Sequence, residues 1–79
     1  MRLDKFLKLS RLIKRRTVAN KICTAEKVLL NGKIAKPSAN VNLNDIITLN
    51  LNNREINIKV LKILNVTTKE SAAQMYEIM

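Results

Sequence analysis

Histidine and tryptophan are absent from this 79-residue sequence, and cysteine, glycine, proline, phenylalanine and tyrosine occur once each. Each shortage closes off a chemistry. Without His, a Ser or Cys nucleophile lacks its usual base. The six acids are scattered, and no pair of them is recognisably placed for acid–base work. The lone Cys23 excludes an intramolecular disulfide and, with no His to help it, a Cys-based zinc site. Gly32 is the only glycine, so no Gly-rich phosphate loop exists. A binding protein without metal or cofactor is expected, not an enzyme.

Phe6 and Tyr76 are the only aromatics, which leaves Leu, Ile and Val to build the core. A chain this short buries about 60–65% of its unfolded surface and has little room for an enclosed active site. One domain over residues 1–79 is expected, and a monomer. Long apolar runs are also missing. Charges interrupt the N-terminus too often for a signal-peptide core, and nothing approaches the ~20 apolar residues of a membrane span. Cys23 stands at helical spacing from Ala19 and Ile22 and reads as core filler. A reduced, cytoplasmic setting follows.

Positive charge is what the sequence has in excess, at a formal net of +9, and it is sorted along the chain. Residues 1–36 hold Arg2, Lys5, Lys8, Arg11, Lys14, Arg15, Arg16, Lys21, Lys27, Lys33 and Lys36 against Asp4 and Glu26 alone. In residues 37–79, Arg54, Lys59, Lys62 and Lys69 balance Asp45, Glu55, Glu70 and Glu77. Charge spread for solubility would not separate this way; a concentrated positive field suits a polyanion, and nucleic acid above all.

Leu3, Phe6 and Leu7 follow i, i+3, i+4 spacing with Arg2, Lys5 and Lys8 opposite, which predicts a short amphipathic helix. Four basic residues then crowd Ser10 to Arg16 around Leu12 and Ile13. Thr17 can N-cap a second helix over about 18–25, with Val18, Ile22 and Ala25 inward. Asn31-Gly32 between Lys27–Leu30 and Lys33–Ala35 predicts a two-residue hairpin, since both turn residues tolerate positive φ. Ile47, Leu49 and Leu51 alternate with polar residues, as do Ile56, Ile58 and Val60, with Asn52-Asn53 turning between the two strands. Thr67-Thr68-Lys69-Glu70 contains Thr-x-x-Glu, the capping box of a C-terminal helix that Met75 and Tyr76 would close onto the core. The fold class is α+β: two short helices and a hairpin, packed on a small, mainly antiparallel sheet.

Two rival partners weaken on composition. A membrane-surface helix wants interfacial aromatics, and Phe6 belongs to the core stripe. Single-strand binding wants exposed aromatics for stacking. Folded RNA, recognised by phosphate and shape, remains the better reading. A DNA-binding helix-turn-helix stays open, although only Asn20 on the second helix is suited to reading bases. On the RNA reading, Arg2, Lys5 and Lys8 form one row. Arg11, Lys14, Arg15 and Arg16 form a second near the start of helix two, with Lys21, Lys33 and Lys36 beyond. Arg2, Arg15 and Arg16 rank first, because guanidinium offers a planar two-pronged fork. Asp4 is read as orienting a neighbouring Arg.

Three segments carry a family resemblance: Arg2-Leu3-Asp4-Lys5-Phe6-Leu7, Lys14-Arg15-Arg16-Thr17 and Val28-Leu29-Leu30-Asn31-Gly32-Lys33-Ile34-Ala35-Lys36-Pro37-Ser38. Their order and spacing resemble the RNA-binding domain named after ribosomal small-subunit protein four, over about residues 1–50. In that family two helices and a hairpin make the αL motif that grips structured RNA. The sequence departs from the family twice. Glu26 or a neighbour stands where members commonly have Gly after helix two, and Leu43-Asn44-Asp45 stands for Pro-Gly-Asp, with Asn44 able to supply positive φ. The remainder, including Thr67-Thr68-Lys69-Glu70, Ala72-Ala73 and Met75-Tyr76, is similar to free-standing members of the family that act in ribosome-associated quality control. That resemblance implies binding to rRNA and peptidyl-tRNA on the large ribosomal subunit, and cooperation with the NEMF-family factor RqcH in C-terminal alanine tailing. The alternative is a heat-shock-type factor that recycles large subunits carrying peptidyl-tRNA.

Overall fold

The structure is a computed structural model and describes residues 1–79. In chain order the elements are α1 (Leu3–Leu9), α2 (Arg16–Thr24), β1 (Val28–Leu30), β2 (Lys33–Ile34), β3 (Ile46–Leu51), β4 (Arg54–Val60), α3 (Lys69–Ala73) and β5 (Tyr76–Ile78). The strands form one sheet in the order β2-β1-β3-β4-β5. Every neighbouring pair is antiparallel. The class is α+β, as the residue patterns predict. No helix is long and apolar enough to cross a membrane.

The apolar stripe of α1 supplies Leu3, Phe6 and Leu7, all fully buried. They join Ala19 and Cys23 of α2, Val28 of β1, Ile47 and Leu49 of β3, Ile58 and Val60 of β4, and Met75 in one core. No side chain caps the start of α1. Instead Leu3 N–H donates to the Ala39 carbonyl at 2.8 Å and Asp4 N–H to that of Pro37 at 3.1 Å. Two of the helix's orphan donors are thus satisfied by a later segment. The terminal amine of Met1 donates to Asn40 Oδ1 at 2.8 Å. The basic first helix is therefore tied at its root to the segment leaving the β1–β2 hairpin.

Both Asn-turns form as expected. Asn31 and Gly32 have φ of 52° and 83°, Asn52 and Asn53 of 48° and 63°. Asn31 also locks the hairpin to the next strand, its Oδ1 accepting from Ile46 N–H at 2.9 Å. Asn44 takes the positive φ foreseen for it, at 70°.

The second helix starts earlier than expected. Thr17 is not its N-cap: α2 begins at Arg16, with Arg15 at the cap position and no side-chain cap bond. Its inward face is Ala19 and Cys23, with Ile22 packed against the core as expected, while Val18 is 42% exposed and Ala25 is also outside. Small side chains face the core, which suits close approach between α1 and α2. The helix ends without glycine: Lys27 N–H donates to Ile22 O at 3.1 Å and Glu26 N–H to Cys23 O at 2.9 Å, the paired bonds of a Schellman cap. Glu26 holds the left-handed position at φ 63°. Since a β-carbon makes that conformation costly, Glu26→Gly should stabilise the fold by about 0.5–1 kcal/mol, a gain of several degrees in Tm for a domain this size. A calorimetric scan of the two proteins reads this directly, and an unchanged or lower Tm refutes the strain.

The C-terminal segment departs from expectation in two ways. The capping box lies one residue later than Thr67–Glu70: Thr68 is the N-cap and Ser71 its partner. The Thr67 hydroxyl instead donates to the Leu9 carbonyl at 2.8 Å, across to the end of α1. Met75 and Tyr76 lie beyond the helix. Met75 is fully buried, and Tyr76 opens β5, an edge strand pairing Val60 with Tyr76 and Ile58 with Ile78. Thr48, expected to face outward, is buried too, and its hydroxyl donates to Asn57 Oδ1 at 2.6 Å.

Candidate nucleic-acid interface

One buried carboxylate organises the basic face. Asp4, in the first turn of α1, is only 2% exposed. Arg2 approaches it with both prongs, Nε to Oδ1 and Nη2 to Oδ2, each at 3.2 Å. Arg16 of α2 places Nη2 3.5 Å from Oδ1. Asn20, one turn further along α2, donates to Oδ2 at 3.4 Å, and Lys5 N–H donates to Oδ1 at 2.8 Å. Burial opposes ionisation of this carboxyl, but the Arg2 and Asn20 hydrogen bonds, the Arg16 charge and the Lys5 N–H outweigh it and hold its pKa below the usual carboxylate range.

The carboxylate thus sets two guanidinium groups from different helices side by side. Both Arg side chains keep about half their surface exposed, 50% for Arg2 and 48% for Arg16. Such a pair is preorganised for anionic oxygen: the forks are held by Asp4 and still open to solvent. Beside them a depression of about 420 Å³ is lined by Asp4, Arg16, Thr17, Asn20 and Lys21. The first N–H groups of α2 have no side-chain cap, which adds partial positive charge to the same end.

The structure regroups the residues read from the sequence. Arg2, Arg16 and Lys21 gather around Asp4, across the two rows expected. Lys8, Arg11 and Lys14 meet in a separate depression. Lys33 and Lys36 line a third, along the β1–β2 hairpin. Lys5 and Arg15 line none of these, Lys5 half-buried and Arg15 exposed. Two contributors were missed: Asn20 as a partner of Asp4, and Lys69, which closes the depression of Lys8, Arg11 and Lys14. Asn20 could have been found from its position one turn after Arg16; nothing local marks Lys69.

Cys23 has no part in nucleophilic chemistry. Burial, and then the negative charge of Asp4, push its thiol up to about 11, so it stays protonated and inert.

The helix pair, the hairpin and their cationic face define an S4-type domain, and a family model described as S4 domain matches residues 1–47. The RQC P-site tRNA stabilizing factor of Streptococcus pneumoniae is 46% identical over 78 residues, covering 99% of this chain and 89% of the relative. The protein of the same name from Bacillus subtilis is 43% identical over 79 residues, covering 100% and 92%. Among solved structures, the trimeric heat shock protein 15 of Vibrio cholerae superposes with a TM-score of 0.92 at 35% identity, covering 100% of this chain and 81% of that one. The chain belongs to the S4-domain family, on the branch formed by the RQC P-site tRNA stabilizing factors.

Proposed function

We propose that the protein is a non-catalytic RNA clamp of ribosome-associated quality control. It binds rRNA and peptidyl-tRNA together on large ribosomal subunits that hold a stalled chain. The observation that carries the reading is the Arg2–Asp4–Arg16 cluster, a prebuilt phosphate fork, in a chain whose full-length relatives are named for stabilising P-site tRNA. With no His and no paired acids, it acts on a reaction only by holding one state of the machinery, and that requires higher affinity for that state. Alanine tailing is then performed by RqcH, with this protein keeping the tRNA in place.

A second reading, recycling of large subunits that carry peptidyl-tRNA, is favoured by the likeness to heat shock protein 15. Gene deletion separates the two. The clamp in tailing predicts fewer alanine tails on stalled chains with bulk translation nearly normal. Normal tailing in the deletion strain, with the tagged protein recovered on free large subunits from a strain that expresses it, leaves recycling standing. In vitro, binding to structured RNA should weaken steeply with salt. About 4–6 phosphate contacts give a slope of log K against log salt of about −4 to −5 on the B-DNA coefficient. A slope near zero would remove the electrostatic mechanism from both readings.

A further inference from the structure

Three of the basic residues not held by Asp4 are drawn together by a fourth from the far end of the chain. Lys8 lies in the last turn of α1, Arg11 and Lys14 in the connection to α2, and Lys69 is the first residue of α3. These four side chains alone line a depression of about 300 Å³. Neither ion pair of the protein involves any of them; both belong to Asp4.

The arrangement is built, and it is locally unfavourable. The Thr67 hydroxyl on the Leu9 carbonyl anchors the C-terminal segment against the end of α1. The Thr68–Ser71 capping box then fixes where α3 starts, with Ser71 N–H on Thr68 Oγ1 at 3.2 Å and Thr68 N–H on Ser71 Oγ at 2.8 Å. Together they set Lys69 facing three other cations, at the helix end where positive charge is disfavoured. Arg11 occupies the left-handed region at φ 62°, just after the α1 C-cap, where Gly or Asn would sit more easily. Like charges converging from separate segments, one on strained backbone, with no acid among them, call for an anion from outside the chain.

We propose that this depression is a second phosphate-binding site, distinct from the Arg2–Asp4–Arg16 fork, and that Lys69 completes it. The ligand is the phosphodiester backbone of RNA. Lys8 stands one turn along α1 from Asp4, so the second site lengthens the cationic surface and lets the protein hold a further stretch of backbone beside the first. This rests on the RNA-clamp reading above and extends the surface to the C-terminal helix.

The test uses the full chain and a structured RNA, titrated at several salt concentrations. Lys69→Ala should weaken binding about fivefold and lower the steepness of the salt dependence by about 0.7–0.9, one contact's worth. Lys69→Glu should cost more, and Lys69→Arg should bind like wild type. Arg11→Gly gives a readout that a structural role would not: a thermal midpoint equal to or above wild type, with weaker RNA binding. Lys69 is exposed, so its variants should fold, and circular dichroism checks this. Wild-type affinity and slope for both Lys69→Glu and Arg11→Gly would overturn the second site. If Arg2→Ala and Arg16→Ala still weaken binding in that case, the clamp reading survives without it. If those variants also bind normally, the clamp reading itself has failed. Two further arms test the source of the anion. NMR shifts at Arg11 and Lys69 that inorganic phosphate produces and RNA does not would mark a free-anion site. Lys69-dependent binding of polyglutamate as tight as that of RNA would mark a protein-docking surface. Either result overturns the proposal.

Discussion

Replacing Arg2 and Arg16 together by alanine is expected to weaken binding to structured RNA by about 2–4 kcal/mol, roughly 30- to 1,000-fold. Each guanidinium offers charge-assisted hydrogen bonds to phosphate. The two losses should not simply add, because both groups share Asp4. The helix scaffold should persist, since the apolar stripe of α1 and the tie from Leu3 and Asp4 to residues 37–39 do not involve either side chain. Asp4 would keep only Asn20 and the Lys5 N–H. Stripped of both neighbouring charges inside the fold, its pKa should rise from its lowered position. Lys59→Ala and Lys62→Ala are the controls. Lys59 lies on β4, and Lys62 donates to Gln74 at 3.4 Å on the C-terminal side of the molecule. Fluorescence titration of all variants at one salt concentration decides the matter. Equal losses at the four positions would mean that bulk charge, and not a shaped surface, binds the RNA.

What could be read from the sequence was what local chemistry decides. The stripe of Leu3, Phe6 and Leu7, the Asn31-Gly32 and Asn52-Asn53 turns and the alternating strands each needed only a few neighbouring residues, and all are present. The misses fall where a distant segment settled the outcome. Thr67 looked like a helix cap, but its hydroxyl is taken by Leu9 O, and the cap passed to Thr68. Val18 and Ala25 looked like core residues, yet the helix turns them outward; Cys23, read as core filler, is buried beside Ala19. The three-residue β5 carries Glu77 between Tyr76 and Ile78 and exists only because β4 offers it an edge. Arg11 takes positive φ with no Gly or Asn to announce it. The site divided along the same line. Its basic residues were evident from composition, and Asp4 was read as orienting one Arg. Its grip on two, with Asn20 behind them, depends on how α1 and α2 pack. The regrouping of Lys8, Arg11 and Lys14 around Lys69 depends on a contact between opposite ends of the chain.

Asp4→Asn separates shape from charge, because the two mechanisms predict opposite signs. The substitution removes an acid from the basic face and raises the formal net charge by one from +9. If attraction to a diffuse positive field were the whole of binding, affinity for RNA should increase. If Asp4 aligns the Arg2 and Arg16 forks, affinity for structured RNA should fall about tenfold while the salt slope stays as steep or steepens. The same variant reports on stability. The carboxylate is buried and accepts from Arg2, Asn20 and the Lys5 N–H, with Arg16 close by. Removing its charge should cost about 1–3 kcal/mol, a large share of the stability of so small a domain. The pH dependence follows from its lowered pKa. The unfolded chain binds the proton more readily than the folded one does, so the Asp4 contribution is fully present above an unfolded pKa of about 3.9 and is lost as pH falls through the folded value. Urea midpoints measured from neutral pH down to about pH 2.5 should therefore fall in the wild type below about pH 4. They should fall less in Asp4→Asn, the two curves drawing together at the acid end. Parallel curves across that range would show that Asp4 is not held ionised by its arginines. An affinity gain in Asp4→Asn would show that they need no anchor.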